Sequence, residues 1–296
     1  MAATIAVMLA VLSGAAYSVN GIFVKYFSTR FKGDERDSGS VYSVMLGLII
    51  ALTTWFSIGF SCKLSYITLI LSVVNCIGLL VHNTFIVKAM SKGPYSLISI
   101  FCMAGGIIMP LFVTMFAFFD IPLWYHFVGM GIMFVAFGLL CIGDGDTSIS
   151  DKKKYFIYLV ILFLANGLCA IGYSLEKRLE DSMYKQEMIV LVNLLSALVA
   201  MVMLLARKRR DTLVVFKQSG GFYLFMVLAC VSLAVGNNLQ VFSIVDVSES
   251  VAFTAKNGSS IVISAILSLI LFKERIKLKK WIAIGIAVVS IFLLAL

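Results

Sequence analysis

The segment CIGLLVHNTFIV (Cys76–Val87) recurs 154 residues further along the chain as CVSLAVGNNLQV (Cys230–Val241). Both copies begin with cysteine, and Asn83 in the first copy matches Asn237 in the second. The same spacing continues without a gap through a serine pair, an acidic pair and a glycine pair. Shared valines mean little in apolar sequence, but asparagine and cysteine are scarce inside such segments. The spacing therefore indicates an internal repeat.

The composition places this repeat in a membrane. The chain has 296 residues, of which 61% are hydrophobic and 13% charged, and its mean hydropathy is +1.04. A soluble domain is usually about half apolar and a quarter charged. The excess of apolar residues is too large for a soluble core, so we predict an all-α polytopic membrane protein.

Apolar runs of roughly 17–25 residues, bounded by charges or by Gly and Pro, are typical of membrane-spanning helices. Ten such runs occur, at about 3–27, 40–61, 66–89, 96–119, 123–143, 155–177, 187–206, 221–243, 250–272 and 280–296. The clearly polar linkers between them are Ser28–Gly39, Asp144–Lys154, Glu180–Gln186 and Arg207–Gly220. These runs and linkers leave no room for a soluble domain.

The repeat divides the ten spans into two units of five, predicted at residues 1–143 and 155–296. Since five is odd, the second unit crosses the membrane in the opposite direction to the first. Inverted repeats of this kind place a binding site near the membrane midplane, at the interface between the units. The predicted fold is therefore ten transmembrane helices in two inverted five-helix repeats.

Loop charges predict the orientation of the chain. The predicted loops on one side of the membrane, with the adjoining helix ends, carry nineteen Lys and Arg residues, and those on the other side carry four. The positive-inside rule then puts both termini outside the cytoplasm. The first 20 residues contain no Lys or Arg, so the first span is predicted to be a retained helix and not a signal peptide.

Several other classes of protein are disfavoured. The six cysteines show no CxxC or Cys/His ligand spacing, so no metal site and no other cofactor are predicted. The net charge of +9 is spread over short loops and forms no single patch, so no nucleic-acid partner is expected. Lys256 and Ser260 are four residues apart, but no motif of a hydrolase accompanies them, and we predict no enzyme. Repeated filter loops, which a channel would need, do not occur either.

Three local patterns resemble one family of transporters. The first span contains YSVNGIFVK (Tyr17–Lys25), and its counterpart in the sixth span is AIGYSLEKR (Ala170–Arg178). The chain ends with LFKERIKLKKWIAIGIAVVSIFLL (Leu271–Leu294), and a weaker copy, FFDIPLWYHFVGMGIMFVAFGLL (Phe118–Leu140), closes the first unit. These patterns are similar to those of the EamA-type branch of the drug/metabolite transporter superfamily, and the ten-helix plan extends the resemblance over the whole chain.

The resemblance implies a secondary transporter. It also implies a central cavity lined by the first four spans of each unit, with the fifth and tenth spans at the periphery. The chain departs from the family pattern in having Tyr17 where a tryptophan is usual and Lys256 where the helix is usually apolar. The second departure leaves the substrate open.

A polar stripe crosses the ninth span, beginning within FTAKNGSSIVIS (Phe253–Ser264). Lys256, Asn257 and Ser260 share one helical face with two further serines. A lysine facing lipid costs about 2.5–3.5 kcal/mol, so the stripe should face protein or water. Two interpretations remain open. Lys256 could line the cavity and attract an anionic or zwitterionic group, or it could snorkel to the interface while the serines allow close packing.

Polar side chains inside the other spans complete the set of predicted substrate-binding residues. Interhelical hydrogen bonding is the alternative role for the amides, packing for the tyrosines, and a satisfied core position for the histidine. Glu176, near a helix end, is expected to form an interfacial ion pair. The further candidates are Tyr17, Asn20, His82, Asn83, Tyr173, Asn193, Asn237 and Gln240.

These features predict a secondary active transporter in the plasma membrane that works by alternating access between the repeats, as a monomer or homodimer. Its substrate is predicted to be a small polar metabolite that is anionic or zwitterionic, such as an amino acid or an organophosphate. An exporter of cationic or neutral drugs and a non-enzymatic membrane scaffold are the alternatives.

Overall fold

The computed structural model describes residues 2–31, 35–61, 63–119, 123–141, 151–181, 183–206, 220–243, 249–272 and 278–295. These residues form α1 (Ala2–Arg30), α2 (Glu35–Ser57), α3 (Tyr66–Lys92), α4 (Tyr95–Ala117), α5 (Trp124–Cys141), α6 (Lys152–Glu180), α7 (Lys185–Ala206), α8 (Gly220–Ser243), α9 (Glu249–Phe272) and α10 (Leu278–Ala295). No strand occurs in these ranges, and the all-α prediction is confirmed. Most of the predicted linkers at 144–154 and 207–220 lie outside the described residues.

The observed helices match the ten predicted spans. Eight are long and apolar enough to cross a membrane, and α5 and α10 contain the shorter apolar stretches Trp124–Phe137 and Trp281–Leu294. The main differences are at the ends, where α1, α3 and α6 continue past their predicted limits. Charged residues end an apolar run without ending a helix, because they are solvated at the membrane interface while the backbone hydrogen bonds continue.

Local sequence explains two of the helix starts. The Ser65 hydroxyl accepts a hydrogen bond from the Ile67 N–H at 3.2 Å where α3 begins. The Asp151 carboxylate accepts one from the Lys154 N–H at 3.1 Å where α6 begins. A short polar side chain at this position satisfies an N–H group that has no partner within the helix. These caps fix the entry of α3 and α6, two of the helices that surround the site described below.

The helices pack across the two halves of the chain. In one bundle α1 packs against α8 and α9, and in the other α6 packs against α3 and α4. Exchanging α1 with α6, α3 with α8 and α4 with α9 converts one bundle into the other, as an inverted repeat requires. The helices α2 and α7 pack against each other, as do α5 and α10. The division of the chain at 1–143 and 155–296 stays a prediction.

Two glycines allow the close helix crossings within these bundles. A Cβ atom at Gly14 of α1 would collide with the Lys256 carbonyl of α9, and one at Gly105 of α4 would collide with the Phe163 carbonyl of α6. Beside Gly14, the Ser13 hydroxyl donates to a carbonyl of α8 at 2.7 Å. Small residues at crossings let membrane helices approach and pack. Each bundle is therefore held by backbone-to-backbone contact.

The helices α5 and α10 lie beside the two bundles. They share an apolar core with α4 and α9, and the Ser290 hydroxyl of α10 donates to the Gly129 carbonyl of α5 at 2.6 Å. Large apolar side chains such as Phe116, Phe134 and Leu205 are exposed on the outside of the molecule. This surface is suited to lipid, and the polar residues of the spans are correspondingly gathered inside.

Candidate substrate-binding cavity

A cavity of about 180 Å³ lies between the two bundles. Its lining residues come from α1 to α4 and from α6 to α9, and none of those described comes from α5 or α10. The lining includes four tyrosines, five asparagines, two serines and one histidine, and no charged residue among those that the structure describes. Apolar side chains provide most of the remaining surface, so the cavity is an uncharged chamber with polar groups set in an apolar wall, and both halves of the chain contribute to it.

Most of the predicted binding residues meet in this chamber. Each bundle contributes tyrosine and amide side chains to it, and α7 contributes one more amide. Three predicted residues, Gln240, Lys256 and Asn257, are buried but do not line it. The predicted residues that do line it are Tyr17, Asn20, His82, Asn83, Tyr173, Asn193, Asn237 and Ser260. Their role in binding stays a prediction.

Lys256 lies one aromatic ring behind the cavity wall. Its side chain is 9% exposed, and its Nζ atom is 4.4 Å from the centroid of the Tyr17 ring. Tyr17 lines the cavity, and its hydroxyl donates to Asn237 Oδ1. The position of Lys256 differs from both sequence-based interpretations, since the ammonium neither lines the cavity nor reaches an exposed surface. The Tyr17 ring separates them, and the ammonium makes a cation–π contact with it.

Gln240 and Asn257 were also predicted to face the cavity, and neither of them lines it. Gln240 follows Asn237 by one turn of α8, and this step takes it past the cavity wall. Neither its Nε2 nor its Oε1 atom has a hydrogen-bond partner within the described part of the chain. Asn257 is buried next to Lys256 on α9. The helical spacing predicted that Gln240 shares a face with Asn237 and that Asn257 shares one with Ser260. Asn237 and Ser260 line the cavity, but Gln240 and Asn257 do not.

Asn20 forms hydrogen bonds between helices, which was the alternative to its predicted role in substrate binding. Its Nδ2 atom donates to the Tyr42 hydroxyl at 3.2 Å and to the Ala229 carbonyl at 2.7 Å. These bonds join α1 to α2 and α8. The amide nitrogen of Asn20 is thus occupied by the protein itself, although the residue lines the cavity.

His82 faces a thiol and an amide. Its Nε2 atom is 3.8 Å from Cys102 Sγ, and its Nδ1 atom is 3.5 Å from Asn83 Oδ1. The contact with Cys102 joins α3 to α4 at this level of the cavity. The described residues contain no group of three His, Cys, Asp or Glu side chains able to hold a metal ion.

Three polar atoms in the cavity lining have no hydrogen-bond partner among the described residues. They are Asn83 Nδ2 on α3, Ser99 Oγ on α4 and Asn193 Oδ1 on α7. Their side chains are 1%, 4% and 4% exposed, respectively. Leaving a buried donor or acceptor unsatisfied costs about 1–3 kcal/mol. A polar molecule in the cavity would satisfy these atoms, whereas an apolar one would not.

Some lining residues were missed from the sequence. Asn166 on α6 donates to the Cys102 carbonyl at 2.6 Å and lines the cavity. Asn166 is an amide side chain inside an apolar span, and this is the same feature by which Asn83 was predicted. Tyr42 and Ser99 also line the cavity, but tyrosines and serines are common in membrane helices and nothing in the pattern distinguished them.

Glu176 requires a further correction. It was expected at the membrane interface, but its side chain is 0% exposed. Its Oε1 atom accepts a hydrogen bond from the Tyr184 N–H at 3.1 Å. Because α6 continues to Glu180, Glu176 lies a full turn inside the helix end, and the Tyr184 N–H bonds back to its carboxylate. The carboxylate thus helps to hold the connection between α6 and α7.

Comparisons with known proteins agree with this architecture. Residues 156–296 match the model of the EamA-like transporter family. A solved structure titled "Crystal structure of protein" superposes with a TM-score of 0.62 over 98% of this chain and 96% of its own, at 13% sequence identity. At that identity the likeness concerns the fold alone. The comparison with curated proteins gave no match.

Proposed function

Since residues 156–296 place this chain in the EamA-like transporter family, we propose that it moves a small zwitterionic metabolite across the plasma membrane by alternating access. Membership makes the chain a multi-pass membrane transporter of the drug/metabolite transporter superfamily, with a small-molecule substrate and a lipid environment. The class of substrate, the mechanism and the particular membrane are our proposal. We further propose that it acts as a monomer or homodimer.

The observation that carries this proposal is the composition of the cavity wall. Tyrosine and asparagine side chains supply donors and acceptors, and no described lining residue is charged. A polyanion such as an organophosphate needs several cations or helix N-termini around it, which favours a zwitterion over the organophosphate alternative. The volume of about 180 Å³ is in keeping with a molecule the size of an amino acid.

The two charges of an amino acid have suitable partners on different helices of the cavity lining. Its carboxylate would lie against Tyr17 and Asn237, because the Lys256 ammonium is behind this wall, 4.4 Å from the centroid of the Tyr17 ring. Its ammonium group would donate to Asn193 Oδ1, which otherwise has no partner among the described residues. Both ends of the head group would then be recognised without a charge in the wall.

Alternating access is supported by the division into two bundles. Each bundle is held by close helix crossings, whereas the cavity lies between the bundles. Rocking of one bundle against the other would open the cavity to either side in turn, as in transporters built from inverted repeats. The pseudo-symmetry of the bundles makes the two open states near equivalents.

Adjacent residues of α8 provide a matched test of this site. Asn237 lines the cavity, while Asn238 lines a groove with Thr53 and Phe242 outside the cavity. Purified wild-type protein in proteoliposomes should accumulate a radiolabelled amino acid from a mixed panel. Asn237→Ala should reduce uptake at least tenfold, and Asn238→Ala should leave it within twofold of wild type. Equal uptake by the two variants would contradict the site, and accumulation of cationic dyes in place of amino acids would contradict the substrate class.

A further inference from the structure

We propose that the wall formed by α3 and α4 recognises an uncharged hydrogen-bonding group on the substrate, and that a carboxamide is the group it fits best. The inference rests on the proposed function and deepens it, because it concerns the end of the substrate away from the zwitterionic head. It makes the preferred substrates amino acids with a carboxamide side chain. Asn83 and Ser99 are the residues that set this preference.

The two residues present hydrogen-bonding atoms to the cavity. Asn83 Nδ2 can only donate a hydrogen bond, and the Ser99 hydroxyl can either accept or donate one. Neither atom has a partner among the described residues, and both side chains are more than nine-tenths buried. Both residues line the same cavity. A polar ligand placed here would give both atoms a hydrogen-bond partner.

The contact between His82 and Cys102 brings the two residues to the same level. His82 Nε2 lies 3.8 Å from Cys102 Sγ. Asn83 follows His82 directly on α3, and Ser99 precedes Cys102 by three residues, less than one turn of α4. The donor and the acceptor thus belong to one small region of the wall.

This region lies toward the opposite side of the membrane from the head-group contacts. Asn193 is eight residues after the start of α7 at Lys185, and Asn83 is nine residues before the end of α3 at Lys92. In the ten-helix topology, α7 starts on the side of the membrane opposite to that where α3 ends. A substrate with its ammonium group at Asn193 would therefore extend its side chain toward Asn83.

A carboxamide satisfies both atoms of this wall at once. Its carbonyl oxygen accepts from Asn83 Nδ2, and its N–H group donates to Ser99 Oγ. A carboxylate could accept from both groups, since the Ser99 hydroxyl can also donate, but it would bring a net charge to a wall whose described residues carry none. A thioether or methylene would leave Asn83 Nδ2 unsatisfied. Sites built to hydrogen-bond a polar group discriminate strongly against analogues that lack it.

The test compares three amino acids of similar length. Uptake of L-glutamine, L-glutamate and L-methionine is measured in proteoliposomes containing wild-type protein or Asn83→Leu. We expect glutamine to be the best substrate of the wild type. In Asn83→Leu, the ratio of kcat/KM for glutamine to that for methionine should fall at least tenfold. Leucine has the same number and branching of side-chain heavy atoms as asparagine and removes a buried unsatisfied amide, so the variant should fold.

Asn75→Leu is the matched control. Asn75 lies on the same helix, is also almost completely buried, and also has amide atoms with no partner among the described residues, but it does not line the cavity. In Asn75→Leu, the ratio of kcat/KM for glutamine to that for methionine should equal the wild-type ratio. A similar change in both variants would overturn the inference, and so would a wild-type protein that takes up methionine as well as glutamine.

The outcomes separate this inference from the function on which it rests. Accumulation of amino acids without preference for glutamine overturns the inference and leaves the proposed function intact. If the folded protein accumulates no amino acid, the proposed function fails. Uracil, a cyclic amide without a zwitterionic head, is included as a further arm. Its uptake in place of glutamine would support amide recognition at Asn83 and overturn the amino-acid assignment.

Discussion

Lys256 and Tyr17 act together, because a cation behind an aromatic ring influences whatever touches the other side of that ring. The Lys256 Nζ atom lies 4.4 Å from the ring centroid, and the ring belongs to the cavity wall. The arrangement keeps the flexible, strongly hydrated ammonium group outside the cavity, and we expect its charge to act on a substrate through the ring. A substrate carboxylate would be attracted to this wall and would still be able to leave.

Lys256→Met should weaken substrate binding while the protein remains folded. At an effective dielectric constant of 20, opposite charges about 8 Å apart attract each other by about 2 kcal/mol, which corresponds to about a 30-fold change in affinity. Methionine keeps a flexible apolar chain against Tyr17 and can make a sulfur–aromatic contact. KM from proteoliposome uptake and the melting temperature from intrinsic fluorescence measure the two effects. Lys256→Arg should restore only part of the affinity, since the planar guanidinium replaces a point charge poorly. An unchanged KM in Lys256→Met would contradict this prediction and would mean that the role of Lys256 is structural.

Tyr17→Phe should separate the contribution of the aromatic ring from that of the hydroxyl group. The ring would still cover Lys256, but Asn237 Oδ1 would lose its donor. Because such bonds between membrane helices are worth about 0.6 kcal/mol on average, we expect a small fall in melting temperature. The larger effect should be a raised KM, since the Asn237 amide would no longer be held in one orientation. Combining Tyr17→Phe with Asn237→Ala in a double-mutant cycle gives the coupling free energy between the two residues. Additive effects on KM would show that the two residues act independently.

At the scale of helices, the molecule depends on the crossings of α1 with α9 and of α4 with α6. A glycine at each crossing allows the partner backbone to approach. The sequence repeat places α1 and α9 in different halves, so every rigid bundle contains helices from both. Movement of one repeat as a unit would break these contacts, whereas movement of the bundles keeps them.

Gly14→Ala should destabilise the crossing of α1 and α9, and Gly258→Ala should not. A Cβ at Gly14 collides with backbone of α9, which cannot move aside cheaply, while a Cβ at Gly258 meets nothing within 4 Å. Overpacking of this kind costs about 1–3 kcal/mol, and alanine in an open helical position is neutral or favourable. Thermal melts of the purified variants measure the difference. Equal melting temperatures would mean that α1 and α9 can separate at little cost.

At the scale of the whole molecule, the orientation in the membrane follows from loop charge. Nineteen basic residues in the loops and helix ends of one side, against four on the other, predict that the basic side is cytoplasmic. The connection between α7 and α8 belongs to the basic side and that between α6 and α7 to the other. The orientation decides which end of the cavity faces the cytoplasm, and it leaves the site itself unchanged.

Cysteine labelling in intact cells measures this orientation. In a background without the six natural cysteines, Gln218→Cys should not react with a membrane-impermeant maleimide. Met183→Cys, at an exposed position between α6 and α7, should react. Labelling of Gln218→Cys in sealed cells, with Met183→Cys unreactive, would invert the assigned topology.

The ten spans, their inverted repetition and the polar residues inside them could be predicted from the sequence, because hydropathy and helical period are properties of single segments. Asn83 and Asn237 were both identified in this way, and both line the cavity. The same reasoning applied to Asn166 would have found it. It could not separate Asn20, whose amide is used between helices, from Asn83, whose amide is not, since that difference depends on partners elsewhere in the chain.

Only the tertiary structure decided which helix faces belong to the cavity. The Tyr17 ring stands between Lys256 and the cavity because α1 packs against both α8 and α9, more than 200 residues away in sequence. Ser99 entered the site because α4 packs against α6, which also packs against α3. A helical period gives the spacing along one helix but not its rotation against a neighbour. That rotation is fixed by side-chain packing and close glycine crossings between distant segments, so the sequence by itself identified the polar residues and the packing selected those that meet.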